Sequence, residues 1–220
     1  MANWLDVWSC LLQDISLVTM WVFINKVFLF SIWNIQHEHA SISADLNTVA
    51  GFQWLKDMNY PTSIISGALS IMHPQLYEDG MQCMRNLEDW SSTHDPQMHQ
   101  ALSLWPSAFT NISLIANRST PLHHDPQSCA SWYDVIVNVG QYDQCAMAIP
   151  TLGIELEYKP GTAVAFSGRL LRHGVNAVEG NRCCLTYYMR DNIHHWEKVP
   201  RCADWMRINS VEGLLKPIEP

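Results

Sequence analysis

The 220 residues contain no C-x-x-C pair, and the seven cysteines are odd in number, with Cys183 and Cys184 adjacent. That pattern argues against a disulfide framework and against a structural zinc module, and it fits a reducing compartment. Positive charge is scarce over most of the chain. Residues 1–158 hold 4 Lys/Arg against 15 Asp/Glu, whereas residues 159–220 hold 9 against 6. A net charge of -8 is wrong for a generally basic nucleic-acid binder, although the mildly basic C-terminal part can accept phosphates locally. There is no positive n-region with a small-residue cleavage site, so no signal peptide is expected. Strong basic localisation clusters, repeats and low-complexity runs are also missing. With 48% hydrophobic and 15% charged residues, the composition is that of an ordinary globular chain with one full core.

One long apolar run is present, from residue 15 to 35, broken by Asn25 and Lys26. It is expected as a helix, and its length meets the threshold for a membrane span. Three roles stay open: a helix packed on the domain, a membrane anchor, or a segment foreign to the mature protein. The packed helix is preferred. Residues 1–52 are therefore set apart as an N-terminal segment, and 53–220 are expected to form a single domain.

Residues 37–52 are polar and expected as loop. From Thr62 onward a helical stripe appears in Ile64, Ile65, Ala68, Leu69 and Met72, ending at His73-Pro74. Pro74 can open a second helix carrying Leu76, Tyr77, Met81, Met84 and Leu87 on one face. Both read as core-packing helices. Residues 90–106 mix Ser, Thr, His, Asp and Pro and read as loop.

Beyond Trp105-Pro106 the period changes to two. Strands are expected at 112–116, 132–139, 146–149, 154–158, 163–166 and 182–189, separated by turn signals such as Lys159-Pro160-Gly161 and Ser167-Gly168. The resulting class is α+β with a mainly β core, a sandwich or jelly roll with helices packed outside.

Within this strand series stands Leu122-His123-His124-Asp125-Pro126. On an extended segment residues two apart face the same side, so His123 and Asp125 can reach one ion while His124 points away. Two histidines and one carboxylate on one face, with open positions opposite, suit ferrous iron that activates O2. His173 lies 48 residues after Asp125, a gap that fits about four short strands with turns. Arg182, nine residues further, opens a strand whose fixed cation suits the far carboxylate of a 2-oxoacid. The pairs His37-Glu38-His39, His94-Asp95 and His194-His195 lack this ordered continuation.

Several stretches extend the pattern. Asn117-Arg118-Ser119-Thr120-Pro121 leads into the His123 motif. Trp132-Tyr133-Asp134, Tyr158-Lys159-Pro160-Gly161-Thr162, Ser167-Gly168-Arg169, His173-Gly174-Val175 and Tyr188-Met189-Arg190-Asp191 follow. Together, over roughly residues 62–195, they resemble fungal members of the TET/JBP group. These are Fe(II)- and 2-oxoglutarate-dependent dioxygenases that oxidise the methyl group of thymine or 5-methylcytosine.

The resemblance implies a double-stranded β-helix with His123, Asp125 and His173 as metal ligands and Arg182 on the distal carboxylate of 2-oxoglutarate. It also implies that Arg118 contacts this cosubstrate. Cys184 occupies a place where relatives often carry a hydroxyl beside that carboxylate, and a thiol is a weak donor. On the substrate side, Tyr188 matches an aromatic that stacks on a flipped base, and Arg190 matches a polar position nearby. Ser128 stands where a relative uses an acid to read the pyrimidine edge. The implied partners are DNA with a modified base, Fe(II), 2-oxoglutarate and O2, and a nuclear location follows from the substrate. Two alternatives stay open. The same iron site could act on an N-methylated base, a protein or a small molecule, or the chain could be a silent DNA- or partner-binding relative from a mobile element.

Overall fold

The computed structural model describes residues 27–31, by backbone alone, and residues 40–200. Four helices lead into the main strand series: α1 Val49–Asp57, α2 Asn59–Met72, α3 Pro74–His94 and α4 Pro96–Leu102. Each break between α2, α3 and α4 is written locally. The His73 ring accepts the Leu76 N–H at 3.3 Å, with Pro74 in the first turn, where its missing N–H costs nothing. Asp95 does the same for α4, its carboxylate accepting the N–H groups of Gln97 and Met98 at 3.1 and 3.0 Å.

The stripes expected for α2 and α3 point inward, with Ile65, Leu69, Leu76, Met84 and Leu87 buried. One expected loop is corrected. Residues 90–106 contain the end of α3 and all of α4, because Asp95-Pro96 is a cap followed by a helix-starting proline, and Met98, Ala101 and Leu102 are buried. Residues 40–48 are loop as expected, with Ala40, Ile42 and Leu46 joining the core, and only 49–52 differ, where Thr48 caps α1 by accepting the Gly51 N–H at 2.9 Å. Helix α1 therefore runs across position 52, where the domain was expected to begin.

Among the described residues, nine strands follow the jelly-roll plan: β1 Val27–Ser31, β2 Asn111–Ala116, β3 Thr120–His123, β4 Asp134–Tyr142, β5 Ala146–Ile149, β6 Ile154–Glu157, β7 Ala163–Phe166, β8 His173–Val175 and β9 Gly180–Tyr188. They form a five-stranded sheet in the order β1-β2-β9-β4-β7 and a four-stranded sheet in the order β3-β8-β5-β6. From β2 to β9 the chain passes back and forth between the two sheets, which is the winding of a double-stranded β-helix. The six expected strands are present with ends shifted by up to three residues. Strands β3 and β8 were not in that series, since four and three residues are too few to show alternation.

Strand β1 falls inside the apolar run expected as a helix and pairs antiparallel with β2. A continuous apolar run has no period with which to tell helix from strand. The remainder of that run lies outside the described residues. Among the described residues, no helix is long and apolar enough to cross a membrane.

Alternation along β4 and β9 divides the interior. Val135, Val137, Val139, Leu185 and Tyr187 face the helices and join the larger core. Ile136 and Cys184 face the other way, into a smaller core between the sheets with Met147, Tyr158 and Phe166. Asp134, Asn138, Arg182, Thr186 and Tyr188 share this second parity. One face of the large sheet is thus given to stability, and the other carries polar chemistry.

Candidate metal centre

Strands β3 and β8 pair antiparallel with His123 directly opposite His173. Cross-strand partners on one face come close, and here the ring centroids lie 4.3 Å apart. Asp125 sits just beyond the end of β3, held by its N–H on the Gly168 carbonyl at 2.9 Å. From there its carboxylate reaches His123 Nε2 at 3.4 Å and His173 Nε2 at 3.6 Å. Both Nδ1 atoms are engaged elsewhere, at 2.9 Å from the backbone carbonyls of Pro121 and Leu171. Each Nδ1–H donating to a carbonyl leaves the Nε2 lone pair for the centre, the usual orientation of a ligating histidine.

The three ligand atoms lie within 4.8 Å of one another, and among the described residues no other His/Cys/Asp/Glu group does this. Bonds of about 2.1 Å at right angles would place such atoms about 3 Å apart, so a first-row ion fits with little movement. His173 is buried, whereas the His123 and Asp125 side chains are more than a third exposed, so the set is closed on one side and open on the other. Burial lowers the His173 pKa and keeps its ring neutral, as a metal ligand must be. His124 turns away, its Nδ1 3.1 Å from the Arg169 carbonyl. Of the rival pairs, His94 stacks on Trp90 at the end of α3, and His194 is buried against Trp132. His37-Glu38-His39 lies outside the described residues.

A second polar cluster sits between the sheets. Arg182 is only 2% exposed, yet no carboxylate lies within ion-pair distance of it among the described residues. Its Nη1 donates to Asn138 Oδ1 at 3.2 Å and its Nη2 to the Arg118 carbonyl at 2.6 Å, while Nε–H has no partner. A buried cation with spare donors and no counter-charge is costly unless an anion arrives. The donor set therefore fits the distal carboxylate of a dicarboxylic 2-oxoacid. The Arg118 side chain is exposed, and its contribution to this cluster is its carbonyl. Cys184 is buried on the same strand face, its thiol 3.9 Å from Thr186 Oγ1 and its pKa pushed up by burial.

The third feature is a cavity of about 320 Å³ lined by Asp125, Pro126, Gln127, Ser128, Asp134, Thr186, Tyr188 and Arg190. Ser128, Tyr188 and Arg190, separated by up to 62 residues in sequence, thus meet beside one of the candidate ligands. The Arg190 guanidinium lies over the Tyr188 ring at 4.8 Å and also bonds Gln127. Ser128 Oγ donates to Asp134 Oδ1 at 3.2 Å, and the Gly168 N–H donates to Asp134 Oδ2 at 3.3 Å. Burial and the nearby Asp125 charge push the Asp134 carboxyl up to about 7.

Sequence reasoning had no role for Asp134, Asn138, Tyr158 or Gly168. Period two along β4 was the available signal for the first two, because it places Asp134, Ile136 and Asn138 on one face. Gly168 is explained only by contact: a Cβ there would lie 2.4 Å from Asp125 Oδ2 and 2.6 Å from Asp134 Oδ2.

A double-stranded β-helix with two histidines and an aspartate at one opening, and a buried, unpaired arginine deeper in, defines an oxygenase of the 2-oxoglutarate/Fe(II) class. The Tet_JBP family model, described as the oxygenase domain of the 2OGFeDO superfamily, matches residues 44–191, and the chain belongs to that family. Membership implies Fe(II) and 2-oxoglutarate. Among solved structures, NgTET1 in complex with 5mC DNA matches with a TM-score of 0.59 and 14% identity over 95% of this chain and 75% of that one. That match shows the fold. A 2OG-Fe(II) oxygenase family oxidoreductase from Burkholderia pseudomallei matches at 17% identity over 45% of this chain and 54% of its own, with a TM-score of 0.31. No curated protein matches.

Proposed function

We propose that this oxygenase hydroxylates the methyl group of 5-methylcytosine in DNA, with His123, Asp125 and His173 holding Fe(II) and Arg182 holding the far end of 2-oxoglutarate. The observation that carries the reading is the cavity that opens directly from Asp125 and gathers Ser128, Asp134, Tyr188 and Arg190. Its volume suits a single planar base, and a base inside a duplex reaches such a pocket only by flipping out. NgTET1, a solved protein of the same fold, is described in complex with 5mC DNA.

Each residue has a physical task in this reading. The two Nδ1 hydrogen bonds fix the imidazoles, and Gly168 fixes the Asp125 backbone, so the ligand set is organised before the ion arrives. When bound, ferrous iron with 2-oxoglutarate and O2 supplies the oxidising chemistry that an unactivated methyl group requires, with 2-oxoglutarate converted to succinate and CO2. Arg182 anchors the cosubstrate from inside the barrel. Tyr188 offers an aromatic face for the flipped base once Arg190 swings aside. Ser128 and Asp134 provide polar atoms for the base edge. Arg169 and Arg190 place positive charge near the opening, Arg169 bonding the carbonyls of Pro126 and Ser128. They offer local phosphate contacts on an otherwise acidic protein.

The test is anaerobic reconstitution with Fe(II) and 2-oxoglutarate, then O2, with a 5-methylcytosine duplex, scored by mass spectrometry for succinate and oxidised base. Oxidised cytosine that disappears in His173→Ala supports the proposal. Succinate without oxidised base moves the substrate elsewhere, and bound metal with neither product refutes the activity.

A further inference from the structure

Resting on the 2-oxoglutarate reading above, we propose that the Tyr158 hydroxyl is a direct hydrogen-bond donor to the distal carboxylate of the cosubstrate, acting beside Arg182. Tyr158 follows β6 and has no solvent exposure, and its Oη finds no nitrogen or oxygen partner among the described residues. Buried hydroxyls are nearly always paired, so this one calls for an explanation. Its surroundings supply one. The hydroxyl lies among Cys184, Arg182 and Tyr142, with the Cys184 sulfur as its weak side-chain partner, and the Arg182 Nε–H has no partner.

Both groups are held from behind by one residue. Asn138 Oδ1 accepts from Arg182 Nη1 at 3.2 Å, while Asn138 Nδ2 donates to the Tyr158 carbonyl at 3.2 Å. Tyr142 Oη donates to that same carbonyl at 3.0 Å. Backbone and guanidinium are therefore fixed relative to each other, and the phenol projects into the interior between the sheets, where its hydroxyl meets the Cys184 sulfur, a weak acceptor. Burial raises the Tyr158 pKa, so the group stays a donor at any physiological pH.

The chemistry accounts for Cys184. Where the family resemblance leads one to expect a hydroxyl on β9 beside the arginine, this chain has a thiol, a poor donor. Tyr158, the residue after β6, supplies an O–H beside that thiol instead.

The experiment compares full-length wild type with Tyr158→Phe, each loaded anaerobically with Fe(II) and titrated calorimetrically with 2-oxoglutarate. Loss of one hydrogen bond to a charged acceptor should raise the Kd for 2-oxoglutarate by roughly 10- to 100-fold. Fe(II) binding measured without cosubstrate should stay within about twofold. The melting temperature of the ligand-free variant should hold, because the removed hydroxyl met only the Cys184 sulfur, a weak acceptor. Unchanged 2-oxoglutarate affinity in Tyr158→Phe overturns the inference, provided that wild type binds. Weaker affinity accompanied by a lower ligand-free melting temperature or impaired Fe(II) binding also overturns it, because the tyrosine would then be structural. If wild type itself binds no 2-oxoglutarate, the inference falls together with the reading beneath it.

Discussion

Replacing Gly168 with alanine should uncouple the metal centre from the fold. The added Cβ would enter between two carboxylates, 2.4 Å from Asp125 Oδ2 and 2.6 Å from Asp134 Oδ2, where an ordinary contact begins near 3.4 Å. Each oxygen must therefore retreat by about 1 Å, which is far beyond the ~0.2 Å tolerance of metal–ligand bonds. Both obstructing atoms are tips of side chains, so the backbone need not move, and the cost should sit at the low end of overpacking, about 1 kcal/mol. For a domain of this size that is about 2–4 °C in Tm. Asp125 cannot retreat and also keep its 3.4 and 3.6 Å spacing to the two Nε2 atoms. Fe(II) affinity should consequently fall by about 10- to 100-fold, the usual effect of disturbing what supports a ligand. Anaerobic Fe(II) titration read beside a circular-dichroism melt makes the comparison. Wild-type affinity in Gly168→Ala would refute the reasoning, because Asp125 could then not be both a ligand and packed on Gly168. A melt lowered by much more than the expected few degrees would show instead that the substitution acts on the fold.

Two further substitutions test other parts of the argument. Arg182→Met removes an uncompensated buried charge but orphans the acceptors on Asn138 and Arg118. These effects oppose each other, so ligand-free stability should change by no more than about 2 kcal/mol. Its 2-oxoglutarate affinity should fall by about 100-fold or more, the range for breaking a desolvated charge pair, and thermal melts with and without cosubstrate separate the two effects. His194 is fully buried, with neither ring nitrogen hydrogen-bonded among the described residues, and burial pushes its pKa down to about 4. The unfolded chain takes up this proton near pH 6.5, so the stability at stake is fully present above that pH and is lost progressively as the pH falls towards 4. His194→Phe should remove roughly 3 kcal/mol of that acid sensitivity. Asp134 and Glu197, both raised to about 7, run in the opposite direction over the same window. The effect must therefore be read as wild type minus variant in denaturant titrations across pH 4–7, and parallel profiles would disprove it.

What could be read from the chain alone is what short-range order encodes. Period two in the C-terminal half marked six strands, period 3.6 marked α2 and α3, and His123-x-Asp125 with His173 and Arg182 marked a candidate site, because residues two apart on extended chain share a face. The Asp95-Pro96 cap is equally local. Strand β1 was not legible, since an unbroken apolar run carries no period and only its pairing with β2 defines it. The remaining features depended on parts of the chain far apart in sequence. The registry that sets His123 opposite His173 comes from two strands too short to announce themselves. Gly168 matters because two carboxylates from other segments crowd its missing Cβ. Tyr158 and Arg182 are tied together because Asn138 bonds both the Tyr158 carbonyl and the Arg182 guanidinium. A sequence specifies which atoms can bond and which face they share, whereas the three-dimensional packing of the two sheets decides which buried donors, here Tyr158 Oη and Arg182 Nε, are left with a weak partner or none.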